Sequence, residues 1–197
     1  VMNLSKKSKE KIIQAVFLHW YKKNKRDLPW RKIKKNKLPN PYYIFVSEYM
    51  LQQTTVGTVK NRFKEFITKW SSIDDLSKIS EEKILNFWSG LGYYSRATNL
   101  LKATKIIKKK FKSKIPNNYI DLIKLPGIGD YTAKAILGIA YNHPVMPIDA
   151  NIERILARIY GLELPLIKIK KKLKEKSNSF ISKKFSSELI QAFMDYG

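Results

Sequence analysis

The sequence predicts an all-α protein, and three observations carry the prediction. Apolar residues recur at i, i+3, i+4 and i+7 along nearly the whole chain. No alternating strand of useful length interrupts them. Short connections bearing Pro or Gly separate the helical stretches, which number about ten.

In order, Ile12, Ile13, Val16, Phe17 and Trp20 outline a first helical face. Leu28-Pro29 and Leu38-Pro39-Asn40-Pro41 then break the chain, with Lys32, Lys34, Lys35 and Lys37 between them as a loop. A helix through Glu48 leads to Val59, Phe63, Phe66, Ile67 and Trp70 on the next face. Ser80 before Glu81 and Glu82 fits an N-cap with acids in the first turn. Ala97, Leu100, Leu101 and Thr104 share a face, as do Ala135, Ile136, Ile139 and Ala140, then Ile152, Ile155, Leu156 and Ile159. Gly90-Leu91-Gly92, Ile115-Pro116-Asn117, His143-Pro144 and Leu164-Pro165 are connections. The lysines at 168, 170, 171, 172, 174 and 176 read as a solvated helix face.

The 197 residues suffice for one domain or two small lobes with a real core, and 44% of them are apolar. The formal net charge of +23 is far from ordinary and predicts a polyanionic partner, most simply nucleic acid. Of the 39 basic residues, 33 are Lys and six are Arg, a bias that an AT-rich genome also imposes. The absence of cysteine excludes disulfides and any Cys-ligated metal or cluster within these residues. No apolar run approaches the roughly 18 residues of a membrane span. No signal-peptide pattern opens the chain, so a soluble, cytoplasmic and nucleoid-associated protein is expected.

Three constellations bear chemistry. On the helix from Val46 to Thr54, Glu48 shares a face with Ile44, Leu51 and Gln52. A carboxylate among apolar neighbours tends toward a raised pKa, as a general acid requires; a cap or a pairing with a nearby Lys is the alternative. In Gly90-Leu91-Gly92-Tyr93-Tyr94-Ser95-Arg96, the glycines permit close backbone approach and the tyrosines offer flat faces to a base. Core tyrosines after a helix-ending glycine are the alternative. In Leu125-Pro126-Gly127-Ile128-Gly129, a tight turn opens a helix, a natural phosphate grip. Asp149 lies downstream, just before the apolar face that begins at Ile152. Asp is a favoured N-cap, and that role alone accounts for it. Capping also tends to keep it ionised, and an ionised carboxylate stabilises a sugar cation. Protonated Glu48 and ionised Asp149 then form the acid and stabiliser of a glycoside-cleaving pair.

The hairpin with its downstream Asp149 resembles the helix-hairpin-helix motif of the HhH-GPD DNA glycosylases. Leu28-Pro29-Trp30-Arg31, Ser47-Glu48 with Met50-Leu51-Gln52-Gln53-Thr54, Gly90 to Arg96, and Asp149-Ala150-Asn151 resemble the MutY-like, adenine-specific branch, in order and at suitable spacing. The likeness runs over nearly the whole chain. It implies two helical lobes with a cleft between: a six-helix barrel over approximately 41–146, and a second lobe from 1–40 with 147–197. It implies base excision repair of adenine opposite 8-oxoguanine or guanine in double-stranded DNA, by a monomer that flips the base. By the same resemblance Glu48 protonates the adenine and helps activate water, Asp149 stabilises the oxocarbenium-like sugar, and Tyr131 and Asn151 support them. Trp30, Arg31, Leu51 and Gln191 match the adenine surroundings. Gln53, Thr54, Leu91, Tyr93, Gly127, Gly129 and Tyr131 match DNA contacts, and the resemblance implies Gln53 and Tyr93 as wedges and a monovalent cation on the hairpin carbonyls.

Bifunctional relatives resembling endonuclease III carry a lysine where this chain has Tyr131, which cannot form a Schiff base. A monofunctional enzyme is therefore expected, with Lys134 as the one nearby substitute. The family also holds a [4Fe–4S] cluster on four cysteines just beyond the segment matching 193–197, then a domain that checks for 8-oxoguanine. This chain has neither the cysteines nor that domain. Opening on Val before Met2 and closing inside a motif, it is expected to be a fragment of a longer reading frame, with a naturally cluster-free variant as the alternative. A mismatch thymine or endonuclease III-like glycosylase, and a non-catalytic DNA-binding module, remain the rival readings.

Overall fold

The computed structural model describes residues 6–33, 38–162 and 166–197, and the side chains of 8–33, 38–162 and 169–197. Eleven α-helices and no strand occur among them, with one isolated bridge between Ile33 and Pro39. The expectations for the lysines at 34, 35, 37 and 168 and for Leu164-Pro165 fall outside the described residues or side chains. The chain divides into two compact units, one of Asp27–Ile136 and one of Val1–Arg26 with Leu137–Gly197.

The 27–136 unit opens with a 3₁₀ turn, Pro29–Arg31. Helix α2 is Pro41–Leu51, started by Pro41 and by the Asn40 side chain, which accepts from the Tyr42 N–H at 2.9 Å. It is buried on all sides, unlike an amphipathic surface helix. Helix α3 (Val56–Lys69) lays Val59, Phe63 and Phe66 against the core. Short helices α4 (Ile73–Ser77) and α5 (Glu81–Trp88) start at Ser72 and Ser80, whose hydroxyls accept from Asp75 and Lys83. Helix α6 (Ser95–Phe111) buries Ala97, Leu100, Leu101 and Thr104 as its periodicity predicts. Helix α7 (Tyr119–Ile123) leads through the glycine turn into α8 (Asp130–Tyr141).

The other unit takes α8 from Leu137 onward. It adds α1 (Lys6–Asn24), α9 (Ala150–Ile159), α10 (Leu166–Ser177) and α11 (Ser186–Tyr196). Phe17 stacks on Phe193 at 4.4 Å and Phe180 meets Phe193 edge-on at 5.4 Å, joining α1 and α11 around one aromatic cluster. Arg26 clamps Asp195 at 2.6 Å.

The contact pattern divides the chain at 26/27 and 136/137. Leu28 and Trp30 are buried in the 27–136 unit, with Trp30 edge-on to Phe63 at 5.4 Å. Gly138 in turn lies so close to Ile190 that an added Cβ would meet Cδ1 at 2.2 Å, so this part of α8 packs with α11. The buried side of α1 is rotated by about a quarter turn from the predicted face, at 100° per residue. Phe17 and Tyr21 are buried, whereas Ile12 and Val16 are half exposed.

Candidate active site

Within the 27–136 unit, α2 supplies Glu48. It is only 7% exposed, on a helix whose residues 44–50 are otherwise apolar or, at Ser47, bonded back to the Ile44 carbonyl. Burying a carboxylate costs several kcal/mol unless it is paired or hydrogen-bonded. Leu51 closes the helix half-buried, and Gln53 then turns out into solvent with φ +54.

Arg96 organises this end of α2. The residue is 5% exposed, and its guanidinium is surrounded by backbone carbonyls. Nη1 donates to Met50 O at 2.8 Å, Tyr49 O at 3.3 Å and Gln52 O. Nη2 donates to Leu91 O at 2.7 Å and Gly92 O at 2.9 Å, and Nε to Tyr93 O at 3.4 Å. A cation at a helix C-terminus complements the dipole. Burial pulls the guanidinium below its ordinary pKa, and Tyr93 acts in the other direction. Its carbon lies 5.6 Å from the ring centres of both Trp88 and Tyr93. The Tyr93 ring remains 60% exposed on a left-handed backbone, φ +47.

The same helix end pins the hairpin. The Tyr49 hydroxyl donates to Pro126 O, and Gln52 Nε2 donates to Gly127 O at 3.1 Å. Burial pushes the Tyr49 pKa strongly up, which keeps that hydroxyl a donor. Leu125 and Ile128 face inward, and Ala133 N–H returns to Gly129 O at 2.9 Å to begin α8. The two glycines differ. Gly127 has φ +79, and a Cβ there would meet Tyr49 Cε1 at 2.8 Å and Asn99 Cβ at 3.0 Å. Gly129 needs no left-handed backbone and has open space around it. Gly127 is required by folding, whereas Gly129 leaves room for something to approach the start of α8. Tyr131 is half-buried on the first turn of α8. Asp130 accepts from Tyr119 and from Lys134 Nζ, both at 2.9 Å.

Trp30 is 3% exposed and Leu91 6% exposed, so both side chains pack in the core of the unit. Leu91 lies between Gly90 and Gly92, both at positive φ. Arg31 and Thr54 are half-buried.

The other unit supplies Asp149, Asn151 and Gln191. Asp149 caps α9, Oδ1 accepting from Ile152 N–H at 2.8 Å. Asn151 Nδ2 donates to Oδ2 at 3.3 Å, and Arg154 Nη2 donates to the side-chain Oδ1 of Asn151. Burial lifts the Asp149 carboxyl above its ordinary pKa, while the backbone N–H bonds and Arg154 pull it down. Capping therefore does not dominate as the sequence suggested; desolvation outweighs it. Gln191 is 4% exposed and engaged within its unit: Tyr21 donates to Oε1 at 3.1 Å, and Nε2 donates to Ser187 O and Oγ.

Sequence reasoning assigned no role to Arg96, Tyr49 or Gln52. For Arg96 a signal existed, namely arginine in a chain that otherwise uses lysine. With no cysteine in the chain, and no cluster of His, Asp and Glu fit for a metal among the described residues, the residues present do not fit an iron–sulfur cluster. No described helix is long and apolar enough to cross a membrane.

The chain is similar to curated proteins over most of its length. An adenine DNA glycosylase of Buchnera aphidicola subsp. Baizongia pistaciae (strain Bp) is 42% identical over 187 residues, which are 94% of this chain and 52% of the relative. The Homo sapiens adenine DNA glycosylase is 38% identical over 149 residues, 74% of this chain and 27% of that protein. The chain thus spans about half the length, or less, of the curated relatives it matches. A thermostable thymine-DNA glycosylase structure superposes with TM-score 0.82 at 26% identity, covering 95% of this chain and 85% of that one. A trapped endonuclease III–DNA covalent intermediate superposes with TM-score 0.76 at 18% identity, covering 98% and 87%, which establishes the shared fold. A family model described as HhH-GPD superfamily base excision DNA repair protein matches residues 46–183. With its all-helical architecture and glycine hairpin, the chain belongs to the HhH-GPD superfamily of base excision DNA repair proteins.

Proposed function

We propose that this chain is the catalytic part of a monofunctional adenine DNA glycosylase, hydrolysing the N-glycosidic bond of adenine mispaired with 8-oxoguanine or guanine in duplex DNA. The observation that carries the reading is the buried carboxylate of Glu48 on an otherwise apolar helix, at the position where the adenine-specific motif has its acid. Glu48 gives its proton to the departing adenine and then helps water add to the sugar carbon. Asp149, held by Ile152 N–H and Asn151, stabilises the cationic sugar between bond breaking and water addition. Trp30, Arg31, Leu51 and Gln191 are assigned to the surroundings of the base, Gln53, Thr54 and Tyr93 to the duplex. Gly127 and Gly129 would bring the hairpin backbone to a phosphate at the start of α8. Leu125, Pro126 and Gly127 carbonyls each already accept one protein hydrogen bond and retain a second lone pair, which suits a monovalent cation.

Tyr131 in place of a Schiff-base lysine supports a monofunctional enzyme, and Lys134 is held by Asp130 at 2.9 Å. The thymine-DNA glycosylase likeness favours a second reading, release of mispaired thymine. The test uses duplexes carrying A·8-oxoG, A·G or T·G, incubated and then treated with alkali. Adenine release should fall by about a hundredfold or more in Glu48→Gln, with binding kept within a few fold. Release at the parental rate refutes Glu48 as the acid. Release from T·G alone selects the second reading, and a borohydride-trapped adduct refutes monofunctionality.

A further inference from the structure

Among the described residues Arg96 is the only buried lysine or arginine, and it does more than cap a helix. Capping α2 would need only the contacts of Nη1. Nη2 and Nε serve a second segment, residues 91–93, about forty positions along the chain from Met50 and Gln52. The two segments share a feature. Each presents an exposed, non-glycine residue on a left-handed backbone, Gln53 at φ +54 and Tyr93 at φ +47. Such residues cost free energy and persist where the surroundings over-determine them. The second turn is also tied within its own segment: Trp88 Nε1 donates to Gly92 O at 3.2 Å, and Arg96 N–H donates to Tyr93 O at 3.0 Å.

We propose that Arg96 is a positioning residue that locks the 52–54 and 90–93 turns into one platform, so that Gln53 and Tyr93 enter and open the duplex as a unit. The proposal rests on the glycosylase reading above. The planar fork of arginine reaches both turns at once; a lysine, with a single ammonium, cannot reproduce both sets of bonds. A preset wedge is valuable because unstacking a paired base costs free energy before any chemistry begins.

Arg96→Lys separates positioning from simple stability. Two duplexes are compared in single-turnover base release: adenine paired with 8-oxoguanine, and adenine in a bubble where it is already unstacked. On the paired target the variant should lose about tenfold to a hundredfold, and on the bubble less than about threefold. Equal loss on both duplexes, or loss on neither, overturns the proposal. Hydrogen exchange supplies a readout independent of catalysis. Amides of both turns should exchange faster together in Arg96→Lys, while those of α3 keep parental protection; loosening of one turn alone overturns the coupling. Gly92→Ala probes the link from the far side while keeping the buried cation. It places a side chain in open space at φ +68, and should raise exchange at residues 53 and 54; unchanged exchange there also overturns it. If the parent protein releases no base from any duplex, the glycosylase reading fails, and the exchange data still decide whether Arg96 couples the turns.

Discussion

Replacing Gly127 by alanine should strike the hairpin through two separate penalties. The residue sits at φ +79, where a Cβ costs about 1–2 kcal/mol. The same Cβ would lie 2.8 Å from Tyr49 Cε1 and 3.0 Å from Asn99 Cβ. Neither neighbour is the free end of a flexible chain. The Tyr49 ring is fully buried and its hydroxyl is bonded to Pro126 O, so moving the ring breaks that bond. Overpacking of this kind costs about 1–3 kcal/mol. The sum is a destabilisation of about 2–5 kcal/mol for the 27–136 unit. Urea unfolding followed by tryptophan fluorescence measures it, because Trp30, Trp70 and Trp88 are all buried in that unit. Gly129→Ala is the internal control. Having no steric neighbour and no left-handed backbone, it should stay within about 0.5 kcal/mol of the parent. It should nonetheless weaken duplex binding by about tenfold, the scale of one lost charge-assisted bond to phosphate. A Gly127→Ala protein as stable as the parent would refute the steric argument. A Gly129→Ala protein that binds DNA normally would refute the phosphate assignment.

Asp149→Asn keeps the cap but removes a carboxylate whose folded pKa is lifted by burial. The resulting cost to folding is absent below its ordinary value of 3.8, grows as the pH rises from there and is complete above the folded pKa. The variant should therefore melt higher than the parent near pH 7, with the gap closing as the pH falls toward 3.8, while adenine release is lost. A variant less stable than the parent at neutral pH would reverse the sign assigned to Asp149. Gly138→Ala gains about 1 kcal/mol of helix propensity but drives a Cβ to 2.2 Å from Ile190 Cδ1, an overpacking of about 1–3 kcal/mol. The net loss of about 0–2 kcal/mol should shrink when Ile190→Val removes that carbon, as a double-mutant cycle would show.

Much of this architecture is legible because its driving forces are local. The faces at 97–104 and 135–140 come from apolar spacing, and the start of α5 comes from Ser80 with two acids behind it. The rotation of the first helix is not legible, because its five apolar residues span a wider arc than it buries. The neighbours packed on it, α11 with the turn at 178–180 and Tyr160, decide which part of that arc is covered. The unit that holds Leu28 and Trp30 is hidden for a similar reason. Their Pro neighbours mark a break in the chain but carry no information about which core receives the side chains. At the site, the motifs locate Glu48, the hairpin and Asp149. The balance of forces on Asp149 is not legible, because capping is a local property and desolvation depends on what surrounds the group.

Arginine usage separates two roles that the net charge conflates. With 33 lysines against six arginines, the chain makes most of its positive surface from the more solvated, more mobile cation. Four of the six arginines are instead held by several partners at fixed angles. Arg26 meets Asp195 and the Met194 carbonyl; Arg62 meets Glu65 and the Ser89 carbonyl. Arg96 joins two turns, and Arg154 holds Asn151 and the Gly197 carbonyl. A point charge on a flexible stem cannot replace a planar fork with five donors at such places, whatever bias acts on the composition. The lysines therefore carry the long-range attraction for a polyanion, which screens with salt. The arginines carry geometry. Substituting an exposed lysine beside the glycine hairpin, such as Lys124→Gln, should accordingly flatten the salt dependence of DNA binding without altering base release at saturation. Arg96→Lys preserves the charge and should do the reverse.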